Sequence, residues 1–122
     1  MQHEPRLILF DCDGTLVDSH AQIIHAMQQA FTACDLEPPE VQAVRHVIGL
    51  SLHEAISRLL SDGVLHDDIA AAYRRHYRAA QGGTSLFAGV RETLQVLRER
   101  GYWMGIVTGK SRPGLLQVLD QL

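Results

Sequence analysis

Apolar positions along this chain change period several times, and each change marks an element. Leu7, Ile8, Leu9 and Phe10 run without interruption, the pattern of a buried strand covering roughly Arg6 to Phe10. From Ser19 onward, Ile23, Met27, Ala30, Phe31 and Cys34 recur at helical spacing, which predicts a helix to about Cys34 with Ser19 as its cap. Pro38-Pro39 breaks the chain, and a short helix from Glu40 to Val47 stops at Gly49. Ser51-Leu52-His53-Glu54 reads as a capping box, in which Ser51 accepts from the third helical amide while Glu54 reaches back. The helix it opens ends near Asp62-Gly63, and another runs from His66 to Ala80 with Ile69, Ala72, Tyr73, His76 and Tyr77 on one side. Gln81 to Ser85 is a hinge-like loop by composition. Gly89 to Arg100 is helical, Tyr102 to Val107 is a second apolar strand, and Pro113 suits the first turn of a final helix.

Two apolar strands separated by a large helical insertion suggest a core with a helical cap inserted after the first strand. The first strand runs straight into Asp11-Cys12-Asp13. Because the strand reads as buried, both aspartates sit at its carboxyl end, where open α/β sheets bind ligands. Paired carboxylates repel unless a cation or proton lies between them. A carboxylate nucleophile, a neighbouring acid/base and a hard metal all fit such a site. Gly14 lets the backbone turn sharply just after the pair.

Asp11-Cys12-Asp13-Gly14-Thr15-Leu16-Val17-Asp18-Ser19, after its apolar strand, resembles the first signature of the haloacid-dehalogenase-like hydrolases of the phosphatase type. A second signature of that family is a strand ending in Ser or Thr, and here the strand to Val107 ends in Thr108-Gly109-Lys110. Leu86-Phe87-Ala88-Gly89-Val90, with Leu94 and Leu97 to Gly101, is similar to the family's approach to that strand, with Ala88 where Pro is common.

The resemblance implies an α/β fold: a Rossmann-like, parallel-sheet core with an inserted helical-bundle cap, as in phosphoglycolate phosphatases and beta-phosphoglucomutases. On that pattern residues 1–16 are core, 17–84 cap and 85–122 core again. It implies Asp11 as nucleophile and Asp13 as general acid/base. It also implies Mg²⁺ as cofactor, held by the Asp11 carboxylate and the Asp13 carbonyl. Thr108 and Gly109 would hold the phosphate of a small phosphorylated metabolite, beside a helix start whose free amides favour anions. Lys110 has two readings, phosphate contact or exposed loop lysine. Arg45, Ile48 and Gly49 lie where cap residues of related phosphatases approach the active site, which makes Arg45 and Gly49 candidate substrate contacts, against the bland reading of Arg45 as a solvated helix residue.

Two fully apolar strands need neighbours on both edges and cover on both faces. The chain therefore reads as the front part of a longer protein. Family members continue with a Lys and an acidic metal motif, whereas after Lys110 the only acidic residue here is Asp120. Three functions follow: a Mg-dependent phosphatase acting through an aspartyl-phosphate, an incompetent fragment that binds phosphate or self-associates through an exposed sheet edge, and a sugar-phosphate mutase of the same fold.

Composition narrows this little further. The chain has 122 residues, 46% hydrophobic and 20% charged, as in a soluble globular domain. A net charge of −3 argues against a nucleic-acid surface, and Arg74, Arg75 and Arg78 read as a solvated helix face. Cys12 and Cys34 make no disulfide framework, and with no signal peptide or membrane-length apolar run the expected compartment is the cytoplasm. Cys12 is expected to point into the core as a small apolar group, and Trp103 to be core as well. The seven His are dispersed, with no pair at metal-ligand helical spacing. Two rival motifs fail on spacing. A calcium loop would need Gly at Leu16 and Glu at Gln22, and a P-loop would need Gly at Met104.

Overall fold

A computed structural model describes residues 6–80 and 85–120. The first apolar run forms β1 (Leu7–Phe10). Its chain partner is far away in sequence. A strand at Trp103–Ile106 lies parallel to β1, with Leu7 opposite Trp103 and Phe10 opposite Ile106. Parallel strands need a long crossover, and here the crossover carries every helix of the bundle.

The uninterrupted apolar run does not produce a strand covered on both faces. Ile8 and Phe10 are half-buried, while Leu7 and Leu9 are 63% and 58% exposed. Trp103, expected in the core, is 71% exposed. Side chains alternate across a strand, so one face of this strand pair packs inward and the Leu7, Leu9 and Trp103 face stays open. Apolar character in the sequence recorded the capacity for burial and not its presence on both sides.

Two short strands were not anticipated. Val17–Asp18 forms β2, within the motif that follows β1, and Ser85–Leu86 forms β3. They pair antiparallel, Val17 with Leu86 and Asp18 with Ser85, and the Phe87 amide donates to the Leu16 carbonyl at 3.1 Å. The ladder ties the segment leaving β1 to the segment that returns toward the second long strand, which is accordingly β4 (Trp103–Ile106). Ser85 therefore belongs to a strand rather than to the hinge-like loop, the rest of which, residues 81–84, lies outside the described residues.

Between β2 and β3 lies the helical bundle. α1 (His20–Ala33) buries Ile23, Ile24, Ala26, Met27, Ala30 and Phe31. Its main packing partner is α4 (His66–Ala79), which is entered through a 3₁₀ turn at Gly63–Leu65. α2 (Val41–Val47) touches α1, and α3 (Leu52–Leu59) bridges α2 and α4. Ile56 and Ile69 are fully buried where these helices meet. Truncating either to Ala costs about 2–5 kcal/mol.

The capping box is half realised. Ser51 Oγ accepts from the Glu54 amide at 3.3 Å, as expected, but the Glu54 carboxylate pairs forward with Arg58 at 3.4 Å. Beyond the bundle, α5 (Val90–Glu99) precedes β4, and α6 (Arg112–Asp120) follows it with Pro113 in its first turn. Ser111 Oγ accepts from the Gly114 amide at 3.3 Å and so caps α6. Among the described residues no helix is long and apolar enough to cross a membrane.

Candidate active site

Both long strands end at the same place, so residues 11–13 and 108–110 meet although nearly a hundred residues separate them. Asp11 is exposed at the end of β1, with Oδ1 accepting from the Cys12 amide at 2.8 Å. The chain then turns tightly: the Leu16 and Val17 amides both donate to the Cys12 carbonyl, at 3.0 and 3.1 Å, and Gly14 adopts φ +80°. That positive φ favours glycine, whereas the His20 imidazole beside it is a side chain that could turn aside. Cys12 is fully buried, as expected of its apolar role. Burial pushes its thiol pKa up, the Asp13 carboxylate adds to the rise, and Lys110 offsets part of it.

The turn delivers Asp13 to the wall of a cavity of about 770 Å³ between the strand ends and the bundle. Asp13 Oδ1 accepts from Ser19 Oγ at 2.7 Å, and Asp13 Oδ2 lies 3.6 Å from Lys110 Nζ. Ser19 was expected to cap α1. Its side chain makes no cap bond to the helix: the backbone at Ser19 (φ −119°, ψ 1°) is not the extended cap conformation, and the buried hydroxyl donates to Asp13 instead. Lys110 Nζ also lies 4.3 Å from the centre of the Tyr77 ring, which reaches down from α4. The loop lysine is thus neither free nor fully solvated: its side chain is 12% exposed. Thr108 Oγ1 accepts from the Lys110 amide at 3.1 Å and shapes the turn after β4.

Gly109 is where the bundle touches this turn most closely. A Cβ there would lie 2.6 Å from the Leu50 carbonyl carbon and 2.7 Å from the Gly49 carbonyl oxygen, so only glycine allows the α2–α3 loop to settle on the strand end. Gly49 itself lines the cavity with Thr108, Gly109 and Lys110. Arg45 is exposed and Asp11 is exposed, and neither forms part of the cavity wall; Asp11 stands beside it at the strand end.

Sequence reasoning missed part of the wall. Tyr73 and Tyr77 stack at 5.8 Å between ring centres and face the cavity, and Arg74 and Arg78, read as a solvated face, line it too. The signal was present as two adjacent i,i+4 rows on one helix, aromatic and basic, which must share a side of α4. Burial raises the pKa of Tyr73, with Tyr77 and then the Asp13 carboxylate adding to it.

Among the described residues no three His, Cys, Asp or Glu side chains cluster closely enough to hold a metal by themselves. The donor set is instead hard and sparse: an exposed carboxylate at Asp11 and the main-chain oxygen of Asp13, whose own carboxylate is engaged elsewhere. Mg²⁺ is commonly held by one or two carboxylates with waters and substrate phosphate. These residues fit that habit.

The geometry has a clear kinship. The haloacid dehalogenase-like hydrolase family matches residues 8–122. The chain belongs to that family. Among curated proteins it is 32% identical to a phosphoglycolate phosphatase of Pseudomonas putida across 97% of its own length. It is also 32% identical to the tyrosine-protein kinase PtkA of Mycobacterium tuberculosis, over 94% of its length and 40% of that protein. A solved structure of PtkA superposes with a TM-score of 0.80 at 31% identity, covering 98% of this chain and 55% of that one. A hydrolase from Pseudomonas syringae superposes at 0.86 with 21% identity, over 97% and 55% respectively, which shows the shared fold. The chain spans about half the length of the curated relatives it matches, 46% in the Pseudomonas putida case. The α/β arrangement described above, a parallel strand pair with a helical insertion, is the part these solved structures share with this chain.

Proposed function

We propose that the protein hydrolyses a small phosphate monoester, as phosphatases of this family do, with Asp11 as nucleophile and Asp13 as general acid and base. The observation that carries this reading is Asp13 held between Ser19 and Lys110, facing Thr108 and Gly109 across the end of a parallel strand pair. Two segments remote in sequence converge there with an acid, a cation and a small-residue turn.

In the first step an Asp11 oxygen attacks phosphorus and the bond from phosphorus to the alcohol oxygen breaks. Asp13 delivers its proton to the departing oxygen. In the second step Asp13 takes a proton from water, whose oxygen attacks the phosphoryl group and releases Asp11 and phosphate. Ser19 and Lys110 fix the orientation of the Asp13 carboxylate for both transfers. Thr108, Gly109 and Lys110 supply donors and positive charge to the phosphoryl oxygens, where the transition state gathers charge. Asp11 and the Asp13 carbonyl would hold Mg²⁺, which would supply positive charge to offset the repulsion between phosphate and carboxylate.

The division into core (1–16 and 85–122) and cap (17–84) belongs to the same proposal, with the β2–β3 ladder as the clasp between them. The proposed compartment is the cytoplasm, where two free thiols such as Cys12 and Cys34 persist. The test is release of inorganic phosphate from simple monoesters, phosphoglycolate first, with and without Mg²⁺ and with Asp11→Asn as control. Metal-dependent release that Asp11→Asn abolishes supports the reading, and release that survives the substitution refutes it.

A second reading has its own observation. Leu7, Leu9 and Trp103 form an open apolar face on the β1–β4 pair. Such surfaces associate. Self-association of this chain through that pair is therefore proposed alongside, and light scattering that gives a monomer at high concentration refutes it.

A further inference from the structure

The cavity over Asp13 has two sides of different chemistry. Its floor is polar, made by Asp13, Thr108, Gly109 and Lys110. Its roof, on the bundle side, is mostly apolar: Met27, Val47, Ile48, Leu50 and Leu52 line it beside the stacked Tyr73 and Tyr77 rings, with Ser51 and His53 interspersed. A phosphoryl group is recognised by donors and cations, and an aliphatic and aromatic roof offers it nothing. The volume of about 770 Å³ falls in the range that encloses ligands of some tens of atoms. A two-carbon acid esterified to phosphate leaves most of that roof facing water.

Leu50 is informative because it is half-buried and lines the cavity without belonging to the packed core of the bundle. Its side chain is therefore available to a ligand in the cavity. Arg74 and Arg78, exposed and one helical turn apart on α4, also line the cavity, and among the described residues neither meets a carboxylate. Two cations beside an apolar chamber favour a ligand that carries negative charge in addition to its phosphate.

We infer that the alcohol part of the substrate carries a ring-sized apolar body and a second anionic group, the body packing against Leu50 and the Tyr73–Tyr77 pair and the anion meeting Arg74 and Arg78. This rests on the phosphatase reading and specifies the ester it acts on.

The test compares kcat/KM for three alkyl phosphates with the purified protein: 2-phosphoglycolate, benzyl phosphate and 4-carboxybenzyl phosphate. All three have alkoxide leaving groups, so differences report binding of the body. The expected order places 4-carboxybenzyl phosphate at least tenfold above phosphoglycolate, with benzyl phosphate between. Leu50→Ser should raise KM several-fold for both benzyl esters and leave phosphoglycolate unchanged. Arg74→Ala with Arg78→Ala should erase the advantage of the carboxylated ester and leave benzyl phosphate as it was. Phosphate release that favours phosphoglycolate, or a Leu50→Ser effect equal for all three, overturns the inference while the phosphatase reading stands. No release from any ester overturns both.

Discussion

Lys110 Nζ lies 3.6 Å from Asp13 Oδ2, and both side chains are close to nine-tenths buried. An ion pair in that setting is stronger than one in water, since the surrounding medium screens it less. The Tyr77 ring against the same ammonium extends the link to α4. One lysine thus connects Asp13, the turn after β4 and the α4 side of the cavity. Replacing Lys110 by Met removes the charge and keeps most of the volume. Turnover measured as phosphate release should fall about 10²-fold, the scale seen for losing one charge-stabilising donor. An unchanged kcat contradicts this role.

Ser19 is buried with its hydroxyl committed to Asp13 at 2.7 Å. Ser19→Ala should cost about 1 kcal/mol in urea unfolding, the net value of one hydrogen bond. It should also lower kcat, because the Asp13 carboxylate loses one of its two restraints. Loss of stability without loss of turnover would make Ser19 structural only.

Gly109 has no room for a methyl group against the Leu50 and Gly49 main chain. Backbone cannot move aside as a flexible side chain can. Gly109→Ala should therefore lift the α2–α3 loop from the strand end, costing about 1–3 kcal/mol of stability by overpacking. Urea unfolding and KM measured together check this, and KM should rise.

Burial raises the pKa of the Cys12 thiol and the Tyr73 phenol in the folded chain. In the unfolded chain these types ionise near about 8.5 and about 10. Below those values both states keep their protons and stability is unaffected. Above them the unfolded chain loses protons first, so it binds fewer than the folded chain and stability falls as pH rises. Thermal unfolding should show a flat contribution up to about pH 8 and a decline above it. Cys12→Ala with Tyr73→Phe should flatten that decline. Alkylation of Cys12 should be slow in the native chain and fast in urea.

The sequence revealed the fold wherever local periodicity and tertiary packing agreed. The helices around Ile23 and Ile69 appear within a residue or two of their expected bounds, because each buries the stripe its spacing displays, while the one around Ile56 starts where its cap predicts and stops at Leu59, short of the expected Asp62-Gly63. Trp103 and Leu7 show the limit: apolar identity says what a side chain tolerates, while exposure depends on which neighbours the strand pair acquires. The Val17–Leu86 pairing was invisible for another reason, since two-residue strands have no period to read. At the candidate site, Asp13, Thr108 and Lys110 were legible from motif chemistry, but their meeting depends on the β1–β4 register. Ser19 was assigned a cap by its position before a helix, but its backbone is not in the extended cap conformation and its hydroxyl donates to the Asp13 carboxylate. Arg74 and Arg78 are exposed, as a basic run on a helix face should be, and only the position of α4 over the strand ends makes the same residues line the cavity.

The central claim is transient esterification of Asp11 to phosphorus. Its most direct measurement is peptide mass spectrometry of the protein quenched in acid during turnover of a phosphate monoester. The account predicts a phosphoryl group on the peptide containing Asp11, removed by hydroxylamine and absent from Asp11→Asn. A phosphoryl group on another residue, or full turnover by Asp11→Asn, would contradict it.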